Sequence, residues 1–252
     1  MKRPIILVSN DDGIQAPGLL ALAEALEAVG TVYVVAPDRE QSAASHSLSL
    51  HRPLRVERMD LRHYAVDGTP TDCVNLAING IMPVRPRLVV SGINHGGNLG
   101  DDITYSGTVS AAMEGTLLSV PSIAISLVSR DGEDFSAAAA FAAQLAKAVI
   151  ERGLPRNTLL NVNVPALPPG DLRGYVITRQ GKRRYGDAII ENVDPRGKKY
   201  YWIGGDDMGF VPAEGTDFTA VESGYISVTP LHMDLTNYAS IAQLSELKVE
   251  WP

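Results

Sequence analysis

Short, continuous apolar runs recur along the first two thirds of the chain, and helical spacing separates them. The runs are Ile5-Ile6-Leu7-Val8, Val32-Tyr33-Val34-Val35-Ala36, Leu88-Val89-Val90, Ile123-Ala124-Ile125 and Leu159-Leu160-Asn161-Val162. Runs without alternation predict strands covered on both faces, as in a parallel sheet. Between the first two, Leu19, Leu20, Leu22, Ala23, Leu26 and Val29 fall on one helical face, with Pro17 in the first turn and Gly30 as the stop. Thr69-Pro70-Thr71-Asp72 opens a second helix carrying Cys73, Leu76, Ala77 and Ile78, and Thr108 to Leu118 forms a third. Ser136 to Arg152 is the clearest helix, with Ser136 as its cap, an alanine-rich body and Gly153 at its end. Such alternation, with about five parallel strands, predicts a three-layer, Rossmann-like doubly wound α/β fold joined by right-handed crossovers.

Two regions break the rhythm. From His46 to Val66, the alternation of Leu48, Leu50, Leu54 and Val56 predicts short antiparallel strands. After Pro165, the run Pro165-Ala166-Leu167-Pro168-Pro169-Gly170 reads as a linker. It divides a single unit, residues 1–252, into an α/β core (1–165) and a hairpin-rich extension (166–252). In the extension, Tyr175 to Thr178 and Tyr225-Ile226-Ser227-Val228-Thr229 read as strands, and Lys198 to Ile203 as one arm of a hairpin. Lys182-Arg183-Arg184 reads as a solvated hairpin and Asp206-Asp207 as a loop.

Charge and cysteine usage narrow the classes. With 22 basic against 29 acidic residues the chain carries a formal charge of −7, so it lacks the positive field of a general nucleic-acid binder. The one cysteine, Cys73, excludes an internal disulfide framework and a thiolate-rich zinc site, and it lies on an apolar helical face. Met1-Lys2-Arg3-Pro4 and the apolar run after it give way at once to Asn10-Asp11-Asp12, too short for a signal peptide. No run approaches membrane-spanning length. A cytoplasmic protein without a membrane partner is expected.

Ligands of open parallel sheets bind beyond the carboxyl ends of the strands, and the polar clusters fall there. The first strand runs into Ser9-Asn10-Asp11-Asp12-Gly13. Adjacent carboxylates before a turn-forming glycine suit a hard cation, whereas the plainer reading is a polar turn capping the next helix. The second strand runs into Ala36-Pro37-Asp38-Arg39-Glu40-Gln41-Ser42, a hydroxyl-rich loop whose plainer reading is a solvated one. The third runs into Ser91-Gly92-Ile93-Asn94-His95-Gly96-Gly97-Asn98, and Tyr105-Ser106-Gly107-Thr108 opens a helix. Free N–H groups and hydroxyls at that N-terminus form a natural anion cradle, or else an ordinary cap. No Walker lysine accompanies it. Together these features suit metal-assisted phosphate ester hydrolysis. The first strand also lacks the Asp-x-Asp of an aspartyl-phosphate phosphatase.

These motifs, with Asp67-Gly68-Thr69-Pro70 and Val228-Thr229-Pro230-Leu231, resemble the survival protein SurE family over nearly the whole chain. The resemblance implies a 5′-nucleotidase: a phosphomonoesterase that hydrolyses nucleoside 5′-monophosphates, with 3′-monophosphates and polyphosphate as further substrates, through a metal-activated water. It implies one divalent cation per subunit, magnesium or manganese, held by Asp11, Asp12, Ser42 and Asn94. It implies that Asn98, Ser106, Gly107 and Thr108 hold phosphate and that Asn10 supports the site; Asp11 is the expected general base, with Asp12 as the alternative. A homodimer or homotetramer is implied, its contacts made by the extension. Ser45 stands where many relatives carry glycine or alanine. His46 and His95 read as wall or surface residues. Two other functions compete: an N-ribohydrolase, which frees the base, and a nucleotide sensor without turnover.

Overall fold

Successive residues of the first strand are buried on opposite sides: Ile6 and Val8 join one apolar cluster and Leu7 another. A computed structural model describes residues 3–129, 134–185, 189–203 and 207–249. Its strands are β1 (Ile5–Ser9), β2 (Thr31–Pro37), β3 (Val56–Arg58), β4 (His63–Val66), β5 (Leu88–His95), β6 (Ser122–Val128), β7 (Thr158–Pro165) and β8 (Tyr175–Ile177). They continue with β9 (Arg183–Tyr185), β10 (Ile189–Val193), β11 (Lys199–Ile203), β12 (Asp207–Phe210) and β13 (Ile226–His232). The helices are α1 (Pro17–Leu26), α2 (Pro70–Leu76), α3 (Gly107–Leu117), α4 (Ser136–Arg152), α5 (Asp217–Glu222) and α6 (Tyr238–Leu244).

The main sheet runs β3-β4-β2-β1-β5-β6-β7-β13-β8. Strands β4, β2, β1, β5, β6 and β7 are mutually parallel. From β1 the chain steps outward to β2 on one side, and β5, β6 and β7 follow on the other, so the switch point lies at the carboxyl ends of β1 and β5. Helices α1 and α4 cover one face through Leu19, Leu22, Leu26, Ala142 and Ala146. Helices α2 and α3 cover the other through Cys73, Val74 and Ala111. This three-layer, doubly wound arrangement is the expected fold, and hairpin strands follow β7.

Several local expectations need correction. The antiparallel strands expected between His46 and Val66 form only in the second half of that stretch, where β3 pairs with β4. Leu48 and Leu50 are exposed in an irregular loop, and β4 joins the parallel sheet beside β2. The segment Ser91 to His95 extends β5 instead of forming a loop, with a register shift against β6. Gly92 makes this possible: its φ is +133°, and a Cβ there would lie 2.3 Å from the Ile125 carbonyl oxygen. Helix α4 begins without a side-chain cap at Phe135, and the Asp134 carboxylate accepts the Ser136 N–H. Of the Asp206-Asp207 pair, Asp206 lies outside the described residues and Asp207 opens β12.

Close packing of α3 on the sheet sets the position of everything at its N-terminus. A Cβ on Gly115 would lie 2.4 Å from Ser122 Oγ and 2.8 Å from Val89 Cγ2. Helix propensity alone favours alanine over glycine by about 1 kcal/mol, but overpacking costs roughly 1–3 kcal/mol. A contact of 2.4 Å puts the clash in the upper part of that range, about 2–3 kcal/mol, so Gly115→Ala is expected to destabilise by about 1–2 kcal/mol net, read as a lower urea midpoint. An unchanged midpoint would show that α3 has room to lift.

Candidate active site

The ends of β1, β2 and β5 and the start of α3 converge on a cavity of about 470 Å³. Asp11, Asp12, Ser42, Asn94, Asn98 and Ser106 line it, so four segments separated in sequence meet there. Asn10, Gly107 and Thr108 stand one layer behind the wall.

The turn after β1 is closed by Asn10. Its Nδ2 donates to the Gly13 carbonyl (3.0 Å) and its Oδ1 accepts the Gly13 N–H (3.2 Å). Gly13 has φ of +102°, which a β-carbon would strain. Asn10 is thus fully buried and shapes the loop that presents the two acids.

Asp11 is 5% exposed. Its Oδ1 accepts the Thr108 hydroxyl, and the Gly107 and Thr108 N–H groups also favour its charged form. Burial outweighs them and raises its proton affinity above that of an ordinary aspartate. Asp12 is pushed up to about 6, first by burial and then by repulsion from Asp11, against a backbone hydrogen bond from His95. The N-terminal amides of α3 therefore hold Asp11 instead of forming an open cradle. A methyl on Gly107 would sit 2.7 Å from the Asp11 Cβ, so only glycine admits this approach. Ser106 caps the helix by accepting the Val109 N–H at 3.1 Å, which leaves its own proton to donate.

Ser42 lies on a loop carrying two left-handed residues, Ala43 at φ +58° and Ser45 at +51°. That conformation costs on the order of 1–3 kcal/mol per residue, and it explains why glycine suits position 45. The loop is held down by the Gln41 N–H on the Asp11 carbonyl (2.7 Å) and by His46. His46 Nε2 lies 2.9 Å from Oε2 of the buried Glu114, whose Oε1 accepts from Asn75 at 2.7 Å. His46 is therefore an anchor of the loop, while His95 lines the cavity.

Asn98 is fixed from behind. Its Nδ2 donates to Ser126 Oγ and its N–H to Asn163 Oδ1, both at 2.8 Å, and its carbonyl accepts from Asn161 and Asn163. Sequence reading missed Ser126, Asn161 and Asn163, which sit inside strands. Their signal was polar residues at alternate positions of otherwise apolar runs. It also missed Glu40, whose Oε1 accepts the Ser42 hydroxyl at 2.6 Å, and Asp102, which Arg183 grips at 2.6 Å. Arg183, expected in solvent, is half-buried. Cys73 is buried, and desolvation holds its thiol well above the ordinary range, so packing is its role.

Among the described residues, no cluster of three or more His, Cys, Asp or Glu side chains has the spacing of a metal site. The set here is mixed: two carboxylates, the Ser42 hydroxyl and the Asn94 amide. Asn94 Nδ2 donates to the Gly96 carbonyl at 2.8 Å, leaving its Oδ1 for a cation. Oxygen donors of this kind fit Mg²⁺ or Mn²⁺, and the raised proton affinities of Asp11 and Asp12 are those of a pair in need of a counter-charge.

The model of the family described as "Survival protein SurE" matches residues 6–187. The protein named 5′-nucleotidase SurE of Geobacter sulfurreducens is 64% identical over 95% of this chain and 92% of its own. Its namesake in Geotalea uraniireducens is 62% identical over 95% and 97%. The crystal structure of the SurE protein from Aquifex aeolicus superposes with a TM-score of 0.88 at 48% identity, covering 96% of this chain and 98% of that one. With its family motifs gathered around one cavity at the sheet's switch point, the chain belongs to the SurE family.

Proposed function

We propose that this protein is a divalent-metal-dependent 5′-nucleotidase that hydrolyses nucleoside 5′-monophosphates to nucleoside and inorganic phosphate. One observation carries the reading: two carboxylates with raised proton affinity face a cavity beside the N-terminal hydroxyl of α3. With Glu40 they would repel a phosphate unless a cation intervened. Asp11, Asp12, Ser42 and Asn94 would hold Mg²⁺ or Mn²⁺, which supplies charge to polarise a phosphoryl oxygen. The Ser106 hydroxyl and Asn98 orient the phosphate, and Thr108 and the α3 amides fix Asp11. Asp11 Oδ2, with Oδ1 held by Thr108, takes the proton of the attacking water. The names of the relatives support the reaction class.

The chain works as one unit, with its chemistry in 1–165 and its self-association in 166–252. An isolated hairpin is marginal in water, yet β10–β11 exposes Ile189, Ile190, Val193 and Trp202. Helix α6 has no buried residue and exposes Tyr238, Ile241 and Leu244. A homodimer or homotetramer covers these apolar surfaces. No described helix is long and apolar enough to cross a membrane, and one buried free cysteine suits a reducing cytoplasm.

The test is product analysis across 5′- and 3′-monophosphates and polyphosphate, with magnesium, manganese or a chelator. Inorganic phosphate from 5′-monophosphates, abolished by chelation, is the expected result. Free base would make the protein an N-ribohydrolase, and binding without turnover would make it a sensor.

A further inference from the structure

A second cavity, of about 540 Å³, adjoins the first through neighbouring residues and has the opposite character. Phe210, Phe218, Leu99 and Val128 give it an apolar lining, whereas acids, amides and hydroxyls dominate the first. Two features form the partition. Gly96 and Gly97 line the second cavity, while their neighbours His95 and Asn98 line the first. Arg183 lines the second and grips Asp102, which lines the first. Glycine backbone and the Arg183–Asp102 ion pair therefore stand where the two cavities adjoin.

The aromatic groups are held in place. Phe210 and Phe218 stack with centroids 4.9 Å apart and planes 11° from parallel. The Arg183 guanidinium carbon lies 5.3 Å from the Phe218 centroid. Phe218 is buried, and it is pressed against Gly100 and Gly181, where a Cβ would come within 2.7 and 2.6 Å of its ring. Phe210 is only half-buried and offers ring surface to the cavity. Aromatic rings and guanidinium planes are the surfaces on which unpaired bases stack.

We propose that this second cavity is the base-binding subsite: the nucleobase of the substrate enters it and packs on Phe210 and the Arg183 guanidinium, while its phosphate lies in the first cavity. The inference rests on the nucleotidase reading of that first site. The ribose then passes the Gly96–Gly97 backbone and the Asp102–Arg183 pair. Among the described residues, the rings lining the first cavity are Tyr105, which is the competing platform, and the smaller imidazole of His95.

The experiment compares adenosine 5′-monophosphate with ribose 5-phosphate, which has the phosphate and sugar but no base, on the full chain with manganese. Phe210→Leu keeps apolar bulk and removes the ring. It is expected to lower kcat/KM for the nucleotide by roughly tenfold, with a several-fold smaller loss on ribose 5-phosphate, and to weaken adenosine binding in calorimetry. Phe210→Trp should restore both. Equal losses on the two substrates, or a base-dependent loss in Tyr105→Ala in place of Phe210→Leu, would overturn the proposal. If the unmodified protein releases phosphate from neither substrate, the nucleotidase reading fails, and adenosine calorimetry alone still decides the subsite.

Discussion

Asp11→Asn is expected to reduce phosphate release by at least about a thousandfold while leaving the fold intact. The substitution keeps the shape of the side chain and removes its charge. In the native protein the carboxylate is 5% exposed, with Thr108 donating to Oδ1 and the α3 amides around it. An amide can still accept from Thr108, but it cannot hold a cation strongly or take a proton. Stability should change little, because two effects oppose each other: the variant loses charge-assisted hydrogen bonds and escapes the desolvation that raises the native proton affinity. Phosphate release at saturating manganese, with a thermal melt by circular dichroism, separates lost chemistry from lost structure. Activity within tenfold of the native protein, with an unaltered melt, would remove Asp11 from the centre of the mechanism. A collapsed melt would instead make Asp11 a structural residue.

What the sequence disclosed follows from how locally each feature is encoded. The parallel strands were legible because Ile6, Leu7 and Val8 are apolar in succession, and both faces of that strand are covered. The acids were legible because an open sheet presents its ligands where an apolar run ends. The alternation of Leu48 and Leu50 misled, because period two marks a strand only where a neighbour supplies the ladder. That loop is instead held by Glu114, 68 residues from His46. The support of Asn98 was hidden by strand parity. Asn161 and Asn163 face the same side of β7, and β6 brings Ser126 alongside Asn163. Arg183 read as solvent-exposed because its partner Asp102 lies 81 residues away. Long-range pairings of this kind depend on topology, which the local pattern constrains but does not specify.

Divalent cations are expected to stabilise this protein strongly above about pH 7 and hardly at all below about pH 5. Asp12, pushed up to about 6 by burial and by its neighbour Asp11, provides the window. A carboxylic acid whose folded-state pKa exceeds its unfolded value contributes stability that is fully present below the unfolded pKa. That contribution is lost as pH rises through the folded one. The cation-free protein therefore carries a poorly solvated negative charge on Asp12 at neutral pH, beside the buried Asp11, and a bound cation relieves it. At a concentration about 100 times its Kd, a ligand adds about 2.7 kcal/mol, or roughly 5–10 °C in Tm for a chain of this size. As the pH falls through about 6, cation and proton compete for the same oxygens, and the Tm increment should shrink. Asp12→Asn should abolish most of the increment, and its cation-free Tm at about pH 8 should equal or exceed that of the native protein, because the poorly solvated charge of Asp12 has gone. Melts with manganese or a chelator across this range provide the measurement. An increment of equal size at every pH, or one that survives in Asp12→Asn, would place the cation away from the paired aspartates.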